Sequence, residues 1–243
     1  MGPDSLGSAA EESVRVTGLR AAGAAGASAR LRRVDYPLKR HIDASLAAVG
    51  LLLLLPASLV IACVIWLGDR GPVFIRQVRV GRFGEPFGVI KFRTMREHTV
   101  SGAHRQATVN DRRITGAGRV LRATALDEIP QLLNVLRGEM SFVGPRALLP
   151  NEIEVDPRSR RYHEIADVPN YRVRILARPG LTGLAQVYAP RDISRQRKFK
   201  YDALYIGRMS LWLDVKLIAL SIFISITGRW PRRGRPEWRR TSR

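Results

Sequence analysis

A chain of 243 residues is long enough for one full domain with its own core, plus tails. Its net charge of +20 is far from ordinary and implies an anionic partner: nucleic acid, an acidic lipid surface or a phosphorylated substrate. The single cysteine, Cys63, excludes an intrachain disulfide and fits a reducing compartment, and His41, His98, His104 and His163 show no metal-ligand spacing.

Residues 1–34 are rich in Ala, Gly, Ser and Arg and carry no sustained apolar period, so they read as a disordered basic arm. Residues 35–70 hold the strongest feature, Ala44 to Leu67, with 24 residues and no charge. One straight helix of that length reaches ~36 Å, enough for a bilayer core of ~30 Å. Pro56 sits in its middle and removes a backbone hydrogen bond, which bends a helix. Both flanks are basic: Lys39 and Arg40 before, then Arg70, Arg76, Arg79 and Arg82 after. The positive-inside rule therefore wants both ends on the cytoplasmic face. A bent, re-entrant helix satisfies these facts, and a kinked single-pass anchor stands beside it as the plainer alternative.

The segment 71–227 reads as one cytoplasmic domain. From Gly71 to Met95, β-branched and aromatic residues alternate with Gly and Pro turns, which predicts short strands or hairpins. The element Gly81-Arg-Phe-Gly84 reads as a hairpin turn more readily than as a phosphate-binding glycine turn. From Thr115 to Arg137 the leucines fall at mostly helical spacing. Asn151 to Asn170 is polar and reads as helix or loop. Tyr205 to Thr227 is apolar but interrupted by Asp214 and Lys216, which predicts a helix in the membrane interface or packed on the domain. Residues 228–243 carry seven arginines and two prolines and read as a basic tail. Beside membrane segments, such a tail suits anionic headgroups.

The informative cluster runs from Arg119 to Gln131 and includes Arg122, Asp127, Glu128 and Pro130. Proline is tolerated in the first turn of a helix, so a helix should start near 127–130, with both carboxylates at its N-terminus. Asp-Glu before Pro is also an ordinary cap with an acidic first turn. The company it keeps favours chemistry: Lys91, Arg93, Arg119, Arg122, Arg146 and Arg178 lie in short segments punctuated by Gly and Pro. Guanidinium forks match phosphate oxygens. A carboxylate pair amid such cations suits a site holding a phosphate and a divalent metal, with one carboxylate on the metal while the other attacks, or a single one doing both at different stages.

In order along the chain, KRHIDASLAAVGLLLLLP, GPVFIRQVRVGRFGEPFGVIKFRTM, DRRITGAGRVLRATALDEIPQLLNVLRGEMSFVGPR, RPGLTGLAQV and YDALYIGRMSLWLDVK resemble the monotopic phosphoglycosyl transferases, the bacterial sugar transferase family. The resemblance covers about Tyr36 to Thr227. It implies an α+β, mainly helical, monotopic membrane protein with a re-entrant helix kinked at Pro56, a small hairpin region and amphipathic interfacial helices. It implies a catalytic dyad falling on Asp127 and Glu128, which also hold Mg²⁺ (or Mn²⁺). By the resemblance Asp127 attacks the sugar-bearing phosphate of a UDP-sugar, and a polyprenyl phosphate then takes the phosphosugar. Lys91, Arg93, Arg119, Arg122, Arg146 and Arg178 are the phosphate- and substrate-binding candidates. The implied setting is the cytoplasmic face of a bacterial inner membrane rich in anionic lipid, with room for a homo-oligomer and a role in exopolysaccharide, capsule or lipopolysaccharide assembly.

Three departures from the family pattern stand out. Gly138-Glu139-Met140-Ser141 replaces the usual Gly-Asp-Met-Ser, Ala147 follows Arg146 where a second proline is usual, and Leu55-Pro56 replaces a Ser-Pro pair. None touches the dyad. The length suggests the small form of the family. A different class of reading is a basic, membrane-anchored adaptor for acidic partners or nucleic acid. Only Trp230 and Trp238 stand among the basic residues of the tail, which offers little base stacking, so no nucleic acid partner is expected.

Overall fold

The computed structural model describes residues 34–96, 111, 113–150, 152–155, 162–190 and 193–227. The N-terminal arm, the basic tail, His98 and His104 lie outside the described residues. The protein is mainly helical with small sheets, as expected, and it divides into two compact units. One comprises His41–Gln77 and Gly88–Gly138; the other comprises Met1–Arg40, Val78–Phe87 and Glu139–Arg243.

Helix α1, Lys39–Asp69, runs 31 residues with Pro56 inside it. Its most apolar window has a mean hydropathy of 2.8 and is only 6% buried within the protein. Leu52, Leu53, Leu55, Leu59 and Leu67 are all exposed. An apolar surface of that extent is stable against lipid and not against water, so α1 is compatible with a membrane anchor. It ends in a left-handed residue, Arg70 (φ 50°), whose N–H donates to the Trp66 carbonyl at 2.8 Å. Strands β1 (Phe74–Val80) and β2 (Pro86–Phe92) follow and pair with one another, as their alternating pattern predicts. The connection is a plain hairpin turn: Gly81 N–H donates to Glu85 O at 2.7 Å, and Gly84 takes φ 82°. Phe74 and Phe92 stack at 5.2 Å near the open end of the hairpin.

The run read as helical from Thr115 to Arg137 is divided into three pieces. Helix α2 spans Gly116–Thr124, a 3₁₀ turn spans Leu126–Glu128, and helix α3 spans Gln131–Arg137. Thr115 caps α2, its hydroxyl oxygen accepting the Gly118 N–H at 2.9 Å. Gly118 lies where a Cβ would overlap the carbonyl oxygen of Thr94. Ala125 (φ 58°) breaks α2 in the left-handed region. Helix α3 is held to β2 by buried Asn134: its Oδ1 accepts the Ile90 N–H at 3.0 Å and its Nδ2 donates to Gly88 O at 2.8 Å. The same helix packs on α1, where a Cβ at Gly50 would come 3.2 Å from Leu132 Cδ1.

The other unit is built around β3 (Ser141–Val143) and β6 (Gly180–Thr182), a parallel pair in register Ser141↔Gly180 and Val143↔Thr182. Three glycines let these backbones touch. A Cβ on Gly144 would overlap Arg178 O, and one on Gly180 or Gly183 would overlap the Gly144 backbone. The segment Asn151–Asn170, expected as helix or loop, instead contains a hairpin of β4 (Ile153–Val155) and β5 (Tyr162–Glu164), followed by a 3₁₀ turn at Ile165–Asp167. Short helices α4 (Tyr171–Arg174) and α5 (Leu184–Tyr188) precede α6 (Arg195–Gly207) and α7 (Leu211–Thr227). Leu217 and Ile224 of α7 join Val143, Leu184, Val187 and Tyr205 in one core, so α7 packs on its unit. Its opposite face leaves Leu211, Trp212, Val215, Ile222 and Phe223 exposed. Asp214, the interruption noted in the sequence, is buried and accepts bonds from Tyr205 Oη at 2.7 Å, Tyr36 Oη at 3.1 Å and Lys39 Nζ.

Candidate active site

The carboxylate pair is positioned by a tight sequence of local events. Ala125 ends α2, the chain makes one 3₁₀ turn, and buried Ile129 and Pro130 fix the far side of that turn. Glu128 N–H donates to Ala125 O at 3.1 Å and Ile129 N–H to Leu126 O at 3.3 Å. The helix expected to begin near 127–130 does so, with Pro130 as its cap residue and Gln131 as its first helical residue. Asp127 and Glu128 therefore stand in the 3₁₀ turn just ahead of α3, where their oxygens can accept from partners on neighbouring elements.

Lys91 supplies one such partner from β2. Its Nζ lies 2.7 Å from Glu128 Oε1, with both side chains largely covered. Burial raises the Asp127 carboxyl above the ordinary aspartate range, Lys91 opposes that rise, Glu128 adds to it, and Arg122 opposes it. Arg119 and Arg122 project from α2 and are exposed. Arg93, just past β2, is only 5% exposed and presses against Gly71. Lys91, Asp127, Glu128 and Arg122 thus form one electrostatic group, while Arg93 faces inward.

The remaining two candidates belong to the other unit. Arg146 is exposed, and its carbonyl accepts from Arg174 Nη2 at 2.6 Å. Arg174 is itself buried against Asp202, with Nε donating to Oδ2 at 3.0 Å. Arg178 Nη1 donates to Asp35 Oδ2 at 2.6 Å, and Arg82 Nη1 lies 3.4 Å from the same oxygen. Sequence reading did not foresee the Asp35, Arg82 and Arg178 cluster or the Arg174–Asp202 pair, because each joins residues far apart along the chain. The Lys91–Glu128 pair had one legible trace, a lysine inside a strand otherwise made of apolar residues.

Two adjacent carboxylates are hard oxygen donors, yet among the described residues no three His, Cys, Asp or Glu side chains group together as a cage. That donor set fits an ion completed by water and by substrate phosphate oxygens, as is usual for Mg²⁺.

Residues 34–228 match the family described as bacterial sugar transferase. The chain is 39% identical over 198 residues to a UDP-glucose:undecaprenyl-phosphate glucose-1-phosphate transferase of Klebsiella pneumoniae, covering 79% of this chain and 41% of that protein. It is 43% identical over 199 residues to a protein of the same description from Caulobacter vibrioides, covering 79% of this chain and 71% of that one. It is 38% identical over 201 residues to the exopolysaccharide production protein PSS of Rhizobium leguminosarum bv. phaseoli, covering 80% and 98% respectively. The chain therefore spans about two-fifths of the Klebsiella relative and nearly all of the Rhizobium one.

Proposed function

Because the chain belongs to the bacterial sugar transferase family, we propose that it transfers a sugar-1-phosphate from a UDP-sugar to a polyprenyl phosphate of the undecaprenyl type and releases UMP. The observation that carries this reading is the Asp127–Glu128 pair in the turn just ahead of α3, with Glu128 bonded to Lys91 at 2.7 Å. A carboxylate oxygen of Asp127 attacks the sugar-bearing phosphorus. The new O–P bond forms as the bond to UMP breaks, and UMP leaves with the electron pair. An oxygen of the lipid phosphate then attacks the same phosphorus, the bond to Asp127 breaks, and the carboxylate returns. Phosphoryl transfer gains most from positioning and charge neutralisation. Asp127 supplies the nucleophile, Glu128 is oriented by Lys91, and Arg119 and Arg122 offer guanidinium groups to phosphate oxygens. Arg146 and Arg178 are proposed for the same service from their own unit. Mg²⁺ or Mn²⁺ on the two carboxylates would withdraw charge from the transferring phosphoryl group.

In this reading 71–227 is the catalytic domain on the cytoplasmic face of the inner membrane, and α1 enters and leaves the bilayer by that face, bent at Pro56. The product would start a surface polysaccharide. No observation favours an adaptor over an enzyme. The test is UMP release by the purified protein with polyprenyl phosphate, Mg²⁺ and a panel of UDP-sugars. Sustained release should need one donor, the lipid and the metal, with at most one UMP per protein when the lipid is left out; it should stop with chelator and fall at least ~10⁴-fold in Asp127→Asn, the scale seen when a catalytic nucleophile is lost. Undiminished release by Asp127→Asn would remove the aspartate from the chemistry.

A further inference from the structure

Arg93 does not behave like a residue waiting for a substrate phosphate. Its side chain is 5% exposed, and its guanidinium occupies the space beside Gly71, two residues beyond the end of α1. A Cβ on Gly71 would overlap Nη1 and come within 2.8 Å of Cζ. The local backbone accommodates this contact. Helix C-termini usually place glycine in the left-handed position, but here that position is Arg70 (φ 50°), and the glycine falls one residue later, against the guanidinium. Helix α1 has no basic residue in its last turn, where the unpaired carbonyls and the dipole favour positive charge. Arg70 lies over the Trp66 ring of that turn at 5.9 Å, and Arg93 adds a second cation beside Gly71. Its own N–H donates to Val73 O at 2.8 Å, tying the same stretch by the backbone.

Two residues before Arg93, Lys91 holds Glu128. We propose that Arg93 is a positioning residue: it clamps the exit of α1 to the end of β2, so that Lys91, and through it the Asp127–Glu128 turn, is held at a fixed offset from the membrane helix. The activity readout of this inference rests on the transferase reading, whereas the clamp itself does not. Arg93 acts here through backbone geometry and through Lys91, and makes no contact with substrate.

The test is a double-mutant cycle on the full chain in detergent: wild type, Arg93→Ala, Gly71→Ala and the double variant, with Arg93→Lys as the conservative control. Each is measured for KM toward the UDP-sugar and the lipid, for turnover per phosphosugar trapped on the protein in a single turnover, and for thermal midpoint. Counting turnover per trapped phosphosugar removes any loss of folded protein. Both single variants should lower that turnover about tenfold to a hundredfold, the scale of a small misplacement of catalytic groups, with both KM values within about twofold of wild type. The double variant should be no worse than Arg93→Ala, since removing the guanidinium makes room for the Cβ, and Arg93→Lys should recover part of the loss. A raised KM in Arg93→Ala with Gly71→Ala unaffected would make Arg93 a substrate contact and overturn the proposal. Lost folded protein with unchanged turnover per site would reduce it to a structural residue and overturn it equally. If the wild type releases no UMP with any donor, the transferase reading fails by itself, and the thermal midpoints still decide the clamp: coupled shifts support it, additive shifts overturn it.

Discussion

Asp127 and Lys91 show how neighbouring charges bear on the titration of one residue. Burial alone would keep the Asp127 carboxyl protonated to higher pH, and an adjacent Glu128 worsens this; Lys91 and Arg122 oppose it. An attacking carboxylate must be ionised, so removing the lysine charge should carry a definite sign. Lys91→Met removes an influence that lowers the Asp127 pKa, so that pKa rises further. The acid limb of the pH dependence of kcat should then move to higher pH, and part of the lost rate should return as the assay is made more alkaline. Lys91→Arg should leave the limb close to wild type. The check is a pH–rate profile of each variant across the acid limb; an unmoved limb in Lys91→Met would mean that the lysine does not govern the proposed nucleophile, Asp127. The adjacency of Asp127 and Glu128 and the nearby basic residues were legible in the sequence. The ion pair was not, because Lys91 and Glu128 are 37 residues apart, and only the fold brings β2 beneath the turn.

At the scale of elements, legibility followed length and pattern. The 31-residue helix α1 and the β1–β2 hairpin were readable because apolar runs, alternation and Gly turns each repeat enough to stand out. The break at Ala125 was not, since alanine is a strong helix former and nothing in its residue type announces a left-handed backbone. The β3–β6 pair escaped for the opposite reason: three residues per strand carry too little alternation to detect. What the sequence did contain there was the glycines of GPR and RPGLTG, read as punctuation among arginines. The structure gives them a steric meaning, because Gly144, Gly180 and Gly183 lie where two backbones meet without room for a Cβ. Gly144→Ala would push a methyl group into the Arg178 carbonyl, an obstacle that no rotamer change relieves. We expect a loss of about 3 kcal/mol or failure to fold, measured as a denaturant midpoint in detergent, whereas Gly116→Ala, at a glycine with open space around it, should leave the midpoint within about 0.5 kcal/mol. Equal midpoints for Gly144→Ala and wild type would show that the backbone contact is not tight.

For the whole molecule, the open question posed by the sequence was how a net charge of +20 and one long apolar helix are arranged about a bilayer. The basic residues decide the energetics. Lys39 and Arg40 precede the apolar run, and Arg70, Arg76, Arg79 and Arg82 follow it closely. A single crossing must carry one of these groups to the outer face, against the bias that keeps Lys and Arg in the cytoplasm. A bend at Pro56 avoids this, because proline already lacks the N–H that a straight helix would need to bond. Lys39 adds a second constraint: it is buried with Asp214 of α7, itself fixed by Tyr36 and Tyr205. The entry end of α1 is therefore tied to α7 through that network. The exit end leads into the hairpin that carries Lys91. The proposed re-entrant path puts both ends on one side of the bilayer. With Cys63 changed to Ser, single cysteines placed at Leu38 and at Gly68 should both react with a membrane-impermeant thiol reagent in inside-out vesicles, and neither should react in sealed right-side-out vesicles. Labelling of one end from each side would establish a single crossing and overturn the proposed re-entrant path.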